Sequence, residues 1–129
     1  MDLILYLTIV HQQILDVLHQ ANVQMIVNNH PVCKTKKYDG FVITTRDATY
    51  KPKRTQLILC EKVMVNNYID WQGEINTTLA HEAVHVAQIC KSNDGHIRRL
   101  GFGKNVEHEA WIIQDKPEEV LRILKKYCL

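Results

Sequence analysis

Residues 77–88 read Thr77-Thr78-Leu79-Ala80-His81-Glu82-Ala83-Val84-His85-Val86-Ala87-Gln88, an apolar stretch that carries two histidines four positions apart. Residues four apart lie on the same face of an α-helix, so both imidazoles can reach one metal ion. Glu82 lies about 100° around the helix from His81, where it can contact a water molecule on that metal without binding the metal itself. The stretch therefore predicts a helix that carries a hydrolytic zinc site.

The side chains of this helix fall into one polar strip and a large apolar remainder. Thr77, Thr78, His85 and Gln88 lie within about 60° of His81 around the helix axis. The other positions from 75 to 90 are mostly apolar, which predicts a buried helix whose polar strip faces a cleft. We expect the helix to begin near residue 76 or 77 and to end at about residue 91.

Length and composition predict one globular domain over residues 1–129, because 46% of the residues are apolar and 23% are charged. The net charge of +2 does not by itself imply a polyanionic partner. Cys33, Cys60, Cys90 and Cys128 include no Cys-x-x-Cys pair, and we expect free buried thiols in a cytoplasmic protein. His11 interrupts the N-terminal apolar run after about ten residues, so neither a signal peptide nor a membrane span is expected.

Hydrophobic periodicity divides the rest of the chain. Apolar residues spaced three and four apart predict an amphipathic helix over residues 2–21. Runs rich in β-branched residues predict strands at Val23–Val27, Phe41–Thr45 and Thr55–Val65, with a loop over residues 46–54. Short connections favour a mostly antiparallel sheet of three to four strands. The predicted fold class is α+β, with an N-terminal helix, this small sheet, the motif helix and two C-terminal helices.

The third metal ligand is expected on the helix that follows Asn105, a residue that can cap it. Glu109 lies on the apolar stripe of that helix, and a buried carboxylate is costly unless a cation compensates it. We therefore assign Glu109 as the third ligand beside His81 and His85. Two alternatives stay open: His96, on the loop after the motif helix, and Glu107, on another side of the same helix. The final helix begins near residue 115 and serves packing.

A second interpretation comes from the segment 34–54, which carries seven Lys or Arg residues and two Asp residues. Its aromatic residues Tyr38, Phe41 and Tyr50 lie between the basic ones, a combination that can bind single-stranded nucleic acid by stacking and phosphate contacts. A solvated loop face is the commoner explanation of such a segment. The alternative function is thus a metal-binding module without turnover that contacts nucleic acid or a protein. A purely structural role for the histidines is a third hypothesis.

The segment His81-Glu82-Ala83-Val84-His85 resembles the HExxH signature of the zincin metallopeptidases, and the downstream Glu109-Ala110 resembles the glutamate-ligand branch, the gluzincins. The order of predicted elements is also similar. The chain departs from that pattern at Ile113, because gluzincins usually have an aspartate four residues after the ligand glutamate.

The resemblance implies a minimal zincin-like fold and zinc-dependent hydrolysis of a peptide or protein substrate. It implies Zn²⁺ held by His81, His85 and Glu109, with Glu82 taking a proton from the attacking water and passing it to the leaving amine. It also implies that part of the strand at Thr55–Val65 forms the edge of the cleft. Five candidates for the oxyanion donor are Tyr68, His96, Arg98, Arg99 and His108.

Overall fold

The computed structural model describes residues 3–46, 52–92 and 96–129 and has an α+β architecture, as predicted. These ranges contain five α-helices and one three-stranded sheet. The elements in chain order are α1 Ile9–Gln20, β1 Val23–Val27, β2 Gly40–Arg46, β3 Pro52–Leu59, α2 Glu61–Asn67, α3 Trp71–Ser92, α4 Val106–Ile113 and α5 Pro117–Cys128. Residues 47–51 of the loop expected over residues 46–54 lie outside the described residues, whereas Arg46 ends β2 and residues 52–54 belong to β3. Helix α3 ends at Ser92, close to the expected residue 91.

The N-terminal helix is shorter than the predicted span of 2–21. A 3-10 turn at Leu3–Tyr6 precedes α1, and Thr8 caps α1 by accepting a hydrogen bond from the backbone N–H of His11. The buried side chain of Asn76 fixes this break, because its Oδ1 accepts from the N–H of Thr8 and its Nδ2 donates to the carbonyl of Tyr6. The N-terminal segment is therefore joined to α3 by hydrogen bonds as well as by packing.

The sheet is mixed, with strand order β1-β3-β2, so the expectation of a mostly antiparallel sheet is wrong in one of its two pairings. Strand β3 pairs with β1 in parallel and with β2 antiparallel. Residues 28–39 carry the chain from one edge of the sheet to the other, and β3 fills the space between them. Strands β1 and β2 are consequently the two edges.

The strand expected over Thr55–Val65 ends at Leu59, and residues 61–67 form α2 instead. Cys60 marks the change, because its backbone N–H donates to the carbonyl of Asp39 and its side chain is disulfide-bonded. Val63 and Met64 then bury the apolar side of the short helix. A β-branched run alone did not reveal this switch, since Val63 and Val65 fit either structure.

All four cysteines form disulfides, so the prediction of free thiols is wrong. Cys33 and Cys60 tie the turn at Pro31–Thr35 to the start of α2, and Cys90 and Cys128 tie the end of α3 to the end of α5. Their Cα atoms are 5.2 Å apart in each pair, although 27 and 38 residues separate them along the chain. Closing loops of this length removes unfolded-state entropy worth about 3–4 kcal/mol for each bridge.

Helix α3 is the centre of the core and packs against the sheet, α1, α4 and α5. It begins five residues earlier than predicted, because Oδ1 of Asp70 accepts from the N–H of Gly73 and caps it. Its apolar residues are buried as the periodicity predicted, with Leu79, Ala83 and Val84 having no exposed surface. None of the helices in the described residues is long and apolar enough to cross a membrane.

Candidate metal centre

Helix α3 brings three candidate donor groups together, as its sequence predicts. One ligand atom from each of His81, Glu82 and His85 lies within 4.8 Å of the other two. The two imidazole rings are 5.0 Å apart between centroids and nearly perpendicular. His85 and Glu82 are buried, at 6% exposure each, because the helix is covered on most of its circumference. The i, i+4 spacing therefore presents both rings to one side of the helix.

The third group at this position is Glu107, one of the two alternatives to Glu109. Its Oε1 lies 2.6 Å from Nε2 of His85, and its Oε2 lies 3.4 Å from Nε2 of His81. The carboxylate thus reaches both imidazoles from the solvent side, with 72% of its side chain exposed. Two imidazole nitrogens and one carboxylate are a donor set that zinc takes in hydrolytic sites.

The placement expected for Glu109 is corrected by the structure. Its side chain is fully buried, as its position on the apolar stripe predicted, but its carboxylate is not part of the cluster of His81, Glu82 and His85. Its Oε2 accepts from the backbone N–H groups of Gly101 and Phe102, and its Oε1 accepts from the N–H of Leu100 and from Nε2 of Gln88. The cost of burying this carboxylate is met by backbone donors, so no cation is needed beside it.

These hydrogen bonds also set the protonation state of Glu109. Burial raises the pKa of the carboxyl, but the hydrogen bonds from Leu100, Gln88, Phe102 and Gly101 outweigh it and hold the pKa below its usual value. Glu109 therefore carries its negative charge inside the protein.

The second ring nitrogen of each histidine is held by a glutamine. Nδ1 of His81 lies 2.8 Å from Oε1 of Gln114, and Nδ1 of His85 lies 2.7 Å from Oε1 of Gln88. An amide oxygen only accepts hydrogen bonds, so each Nδ1 is the donor. Each Nε2 faces the carboxylate of Glu107, which only accepts hydrogen bonds, so the Nε2 donates in this contact. A metal ion bound at Nε2 would take the place of that proton, while Nδ1 continues to donate to the glutamine.

Glu82 occupies the inner side of the same group. Its Oε2 is buried and has no hydrogen-bond partner in the described part of the chain. Burial, with a smaller contribution from the negative charge of Glu107, raises the pKa of Glu82 to about 8. Strand β2 approaches this side chain closely, because a Cβ built on Gly40 would lie 3.4 Å from Cγ of Glu82. The side chain is thus confined in a narrow space beside the two histidines.

The group lies in a cleft of about 620 Å³ between α3 and β2. Strand β2, an edge strand, forms one wall, whereas β3 is paired on both sides; the expectation that Thr55–Val65 forms the cleft edge is therefore wrong. The residues that line the cleft are Tyr38, Asp39, Gly40, Phe41, Val42, Thr44, Glu74, Thr77, Thr78, His81, Glu82, His85, Ile89, Ile97, Glu107 and Gln114.

Other candidates from the sequence lie away from the imidazoles. His96 is exposed and lies outside the cleft lining. The remaining oxyanion candidates are also outside it among the described residues: Tyr68 donates to Asp39, and Arg99 donates to the carbonyl of Gly103. Apart from the two histidines, the described side chains that can donate within the cleft are those of Tyr38, Thr77, Thr78 and Gln114.

The basic segment is partly described. Phe41 packs against the ring of His30, with 5.0 Å between the ring centroids, and it belongs to the small core under β3. Arg54 donates to the side chain of Gln24. Tyr50 and Lys51 lie outside the described residues. In the described part, Tyr38 is the one aromatic residue of this segment with more than half of its surface exposed, at 52%.

Sequence reasoning missed Gln88 and Gln114 as partners of the histidines, and it placed Glu109 rather than Glu107 beside the imidazoles. Gln88 is three residues after His85, a spacing that places the two side chains together on a helix. Gln114 is seven residues after Glu107, which places both on the same side of α4. These two spacings could have indicated the glutamine partners and the position of Glu107. The expected burial of Glu109 favoured that residue as the ligand instead.

A sequence model of one protein family, described as a domain of unknown function (DUF8637), matches residues 3–102. The matched region includes His81, Glu82 and His85 and ends before Glu107. No curated protein and no solved structure matches the chain.

Proposed function

This chain belongs to the DUF8637 family, and we propose that it is a zinc-dependent peptidase in which His81, His85 and Glu107 hold the metal and Glu82 is the general base. One observation carries the proposal. Both Nε2 atoms face a single carboxylate, while each Nδ1 donates to a glutamine oxygen. Two unrelated core histidines would have no reason to share this arrangement.

Two further features support a cation at this position. Among the described residues the buried Oε2 of Glu82 has no hydrogen-bond partner, so it can accept a hydrogen bond from a water molecule on a bound metal. The described lining of the cleft includes four carboxylates, those of Asp39, Glu74, Glu82 and Glu107, and no Lys or Arg. A divalent cation would reduce the repulsion among these groups. The donor set therefore fits zinc in both chemistry and charge.

The chain's own residues define the proposed reaction. A bound zinc ion supplies Lewis acidity, which polarises a peptide carbonyl and makes a water molecule more acidic. With a pKa of about 8, Glu82 is mostly protonated near neutral pH, and the positive charge of a bound cation would favour its ionised form. In that form Glu82 would accept the proton as the water oxygen attacks the carbonyl carbon, and it would then deliver that proton to the amine nitrogen as the C–N bond breaks. Gln88 and Gln114 keep the imidazoles oriented throughout. The edge of β2 offers backbone groups with which an extended peptide can pair.

The disulfides bear on where this reaction takes place. The cytoplasmic expectation depended on free thiols, and the two bridges remove that support. Disulfides persist in oxidising environments, so they favour such a compartment for this protein.

The experiment is metal analysis and peptide cleavage by the wild-type chain and by Glu82→Gln, with Glu118→Gln on the exposed side of α5 as the matched control. We expect about one zinc per chain in all three proteins. Cleavage of a mixed peptide library, followed by mass spectrometry, should fall by about 10²–10⁴-fold in Glu82→Gln alone, because the general base is lost.

Two outcomes contradict parts of this proposal. Cleavage by Glu82→Gln at the wild-type rate would remove Glu82 from the catalytic role. Wild-type protein that binds zinc and cleaves no peptide would favour a metal-binding module without turnover.

A further inference from the structure

One buried carboxylate lies between the metal-binding face of α3 and the segment of residues 97–102. Glu109 accepts hydrogen bonds from three successive backbone N–H groups, those of Leu100, Gly101 and Phe102, at 2.6–2.8 Å. The same carboxylate accepts from Nε2 of Gln88 at 2.9 Å. Ile97, in this segment, lines the cleft. Glu109 is thus in contact with the segment and with the glutamine that holds His85.

The hydrogen bonds of Gln88 allow only one orientation of its amide. The amide nitrogen donates to Glu109 and, at 3.0 Å, to the carbonyl of Val106, and both of these groups only accept. The amide oxygen must therefore face His85, whose Nδ1 lies 2.7 Å away. Gln88 is fully buried, so water does not offer it alternative partners. If the amide were reversed, its NH₂ group would face the nitrogen of His85, and its oxygen would face a carboxylate.

We propose that Glu109 is a positioning residue with two roles. It anchors the 97–102 segment, and through Gln88 it fixes the tautomer and orientation of His85. The segment and the metal centre therefore depend on the same carboxylate. The proposal rests on the proposed metal centre. Glu109 would thus act on the site without contacting the metal. The proposal predicts different effects for the loss of Glu109 and for the loss of the Gln88 amide. Loss of Glu109 loosens the segment and weakens metal binding, whereas loss of the Gln88 amide weakens metal binding alone.

The test uses the full-length chain with Glu109→Gln, Gln88→Met and the double variant, and Glu118→Gln as a control for removal of one carboxylate. Zinc affinity is measured by competition with a chromophoric chelator. Hydrogen exchange of the Leu100, Gly101 and Phe102 amides is measured in the metal-free proteins, and circular dichroism reports whether each variant is folded.

We expect each single variant to bind zinc about 10- to 100-fold more weakly, as is usual when the hydrogen-bond partner of a metal ligand is removed. The double variant should bind about as weakly as Gln88→Met, because Glu109 acts on His85 through Gln88. The three amides should exchange faster in Glu109→Gln and at the wild-type rate in Gln88→Met. Independent structural roles would instead give losses that multiply.

The opposite results overturn the proposal. A folded Glu109→Gln that binds zinc as the wild type does, or losses that multiply in the double variant, would do so while leaving the metal centre intact. Wild-type protein that binds no zinc would remove the metal centre and this inference with it. If Glu109→Gln does not fold, Gln88→Met decides alone: unchanged zinc affinity in that variant contradicts the proposal.

Discussion

Glu107 and Glu109 are two residues apart on α4, yet their side chains lie in different environments. Glu107 and Glu109 point about 200° apart around the helix, so one faces the imidazoles and the other faces the interior. The sequence correctly indicated which of them is buried. It did not indicate what compensates the buried charge, because the three N–H donors come from residues 100–102, a segment that forms neither helix nor strand. The structure therefore places Glu107, and not the predicted Glu109, beside the two imidazoles.

His11 gives a residue-scale prediction about stability. Burial lowers the pKa of this histidine, and the charge of Glu118 opposes that shift in part. Its Nδ1 lies 2.6 Å from Oγ1 of Thr8, whose hydroxyl can donate to it when the ring is neutral. As the pH falls through about 6.5, the unfolded chain takes up this proton before the folded protein does, so stability present above that pH is lost below it.

We expect His11→Gln to reduce the fall in the free energy of unfolding between pH 7.5 and pH 5.5. Urea unfolding at the two pH values measures the difference. His19→Gln, an exposed position in the same helix, is the control and should keep the wild-type dependence. An unchanged pH dependence in His11→Gln would show that His11 does not titrate with folding.

At the scale of elements, α3, β1, α4 and α5 were largely predictable, because periodicity and capping residues act locally. The early start of α3 was also predictable, because Asp70 is a residue type that commonly caps a helix and here accepts a hydrogen bond from the N–H of Gly73. The parallel pairing of β1 and β3 and the helix at 61–67 were not predictable in the same way. Each depends on tertiary packing between segments that are distant in sequence, which local propensity does not predict.

The approach of β2 to α3 gives an element-scale prediction at Gly40. A Cβ at this position would lie 2.8 Å from the carbonyl of Ile58 and 2.8 Å from Cγ2 of Thr78. Thr78 is β-branched and buried, so its side chain cannot easily move away from an added Cβ. We expect Gly40→Ala to destabilise the protein by about 1–3 kcal/mol, measured by thermal unfolding. Lys37→Ala, at an exposed position before the strand, is the control; equal melting temperatures for both variants would contradict the close contact.

At the scale of the whole molecule, a disulfide and several hydrogen bonds hold the helix that carries the two histidines. The Cys90–Cys128 bridge holds the C-terminal end of α3 against α5, and Asp70 and Asn76 fix its N-terminal half. The histidines lie between these anchors. A rigid central helix is a suitable support for metal ligands, because their geometry must be held within a fraction of an ångström. The cysteine pairing was the largest whole-molecule feature that spacing along the sequence could not reveal.

The most direct measurement is anomalous diffraction at the zinc edge from crystals grown with zinc. The account predicts one strong peak about 2.0–2.2 Å from Nε2 of His81, Nε2 of His85 and one carboxylate oxygen of Glu107, with Glu109 still bound to the backbone of residues 100–102. A peak coordinated by Glu109 or His96 in place of Glu107, or no peak between the two imidazoles, would contradict it.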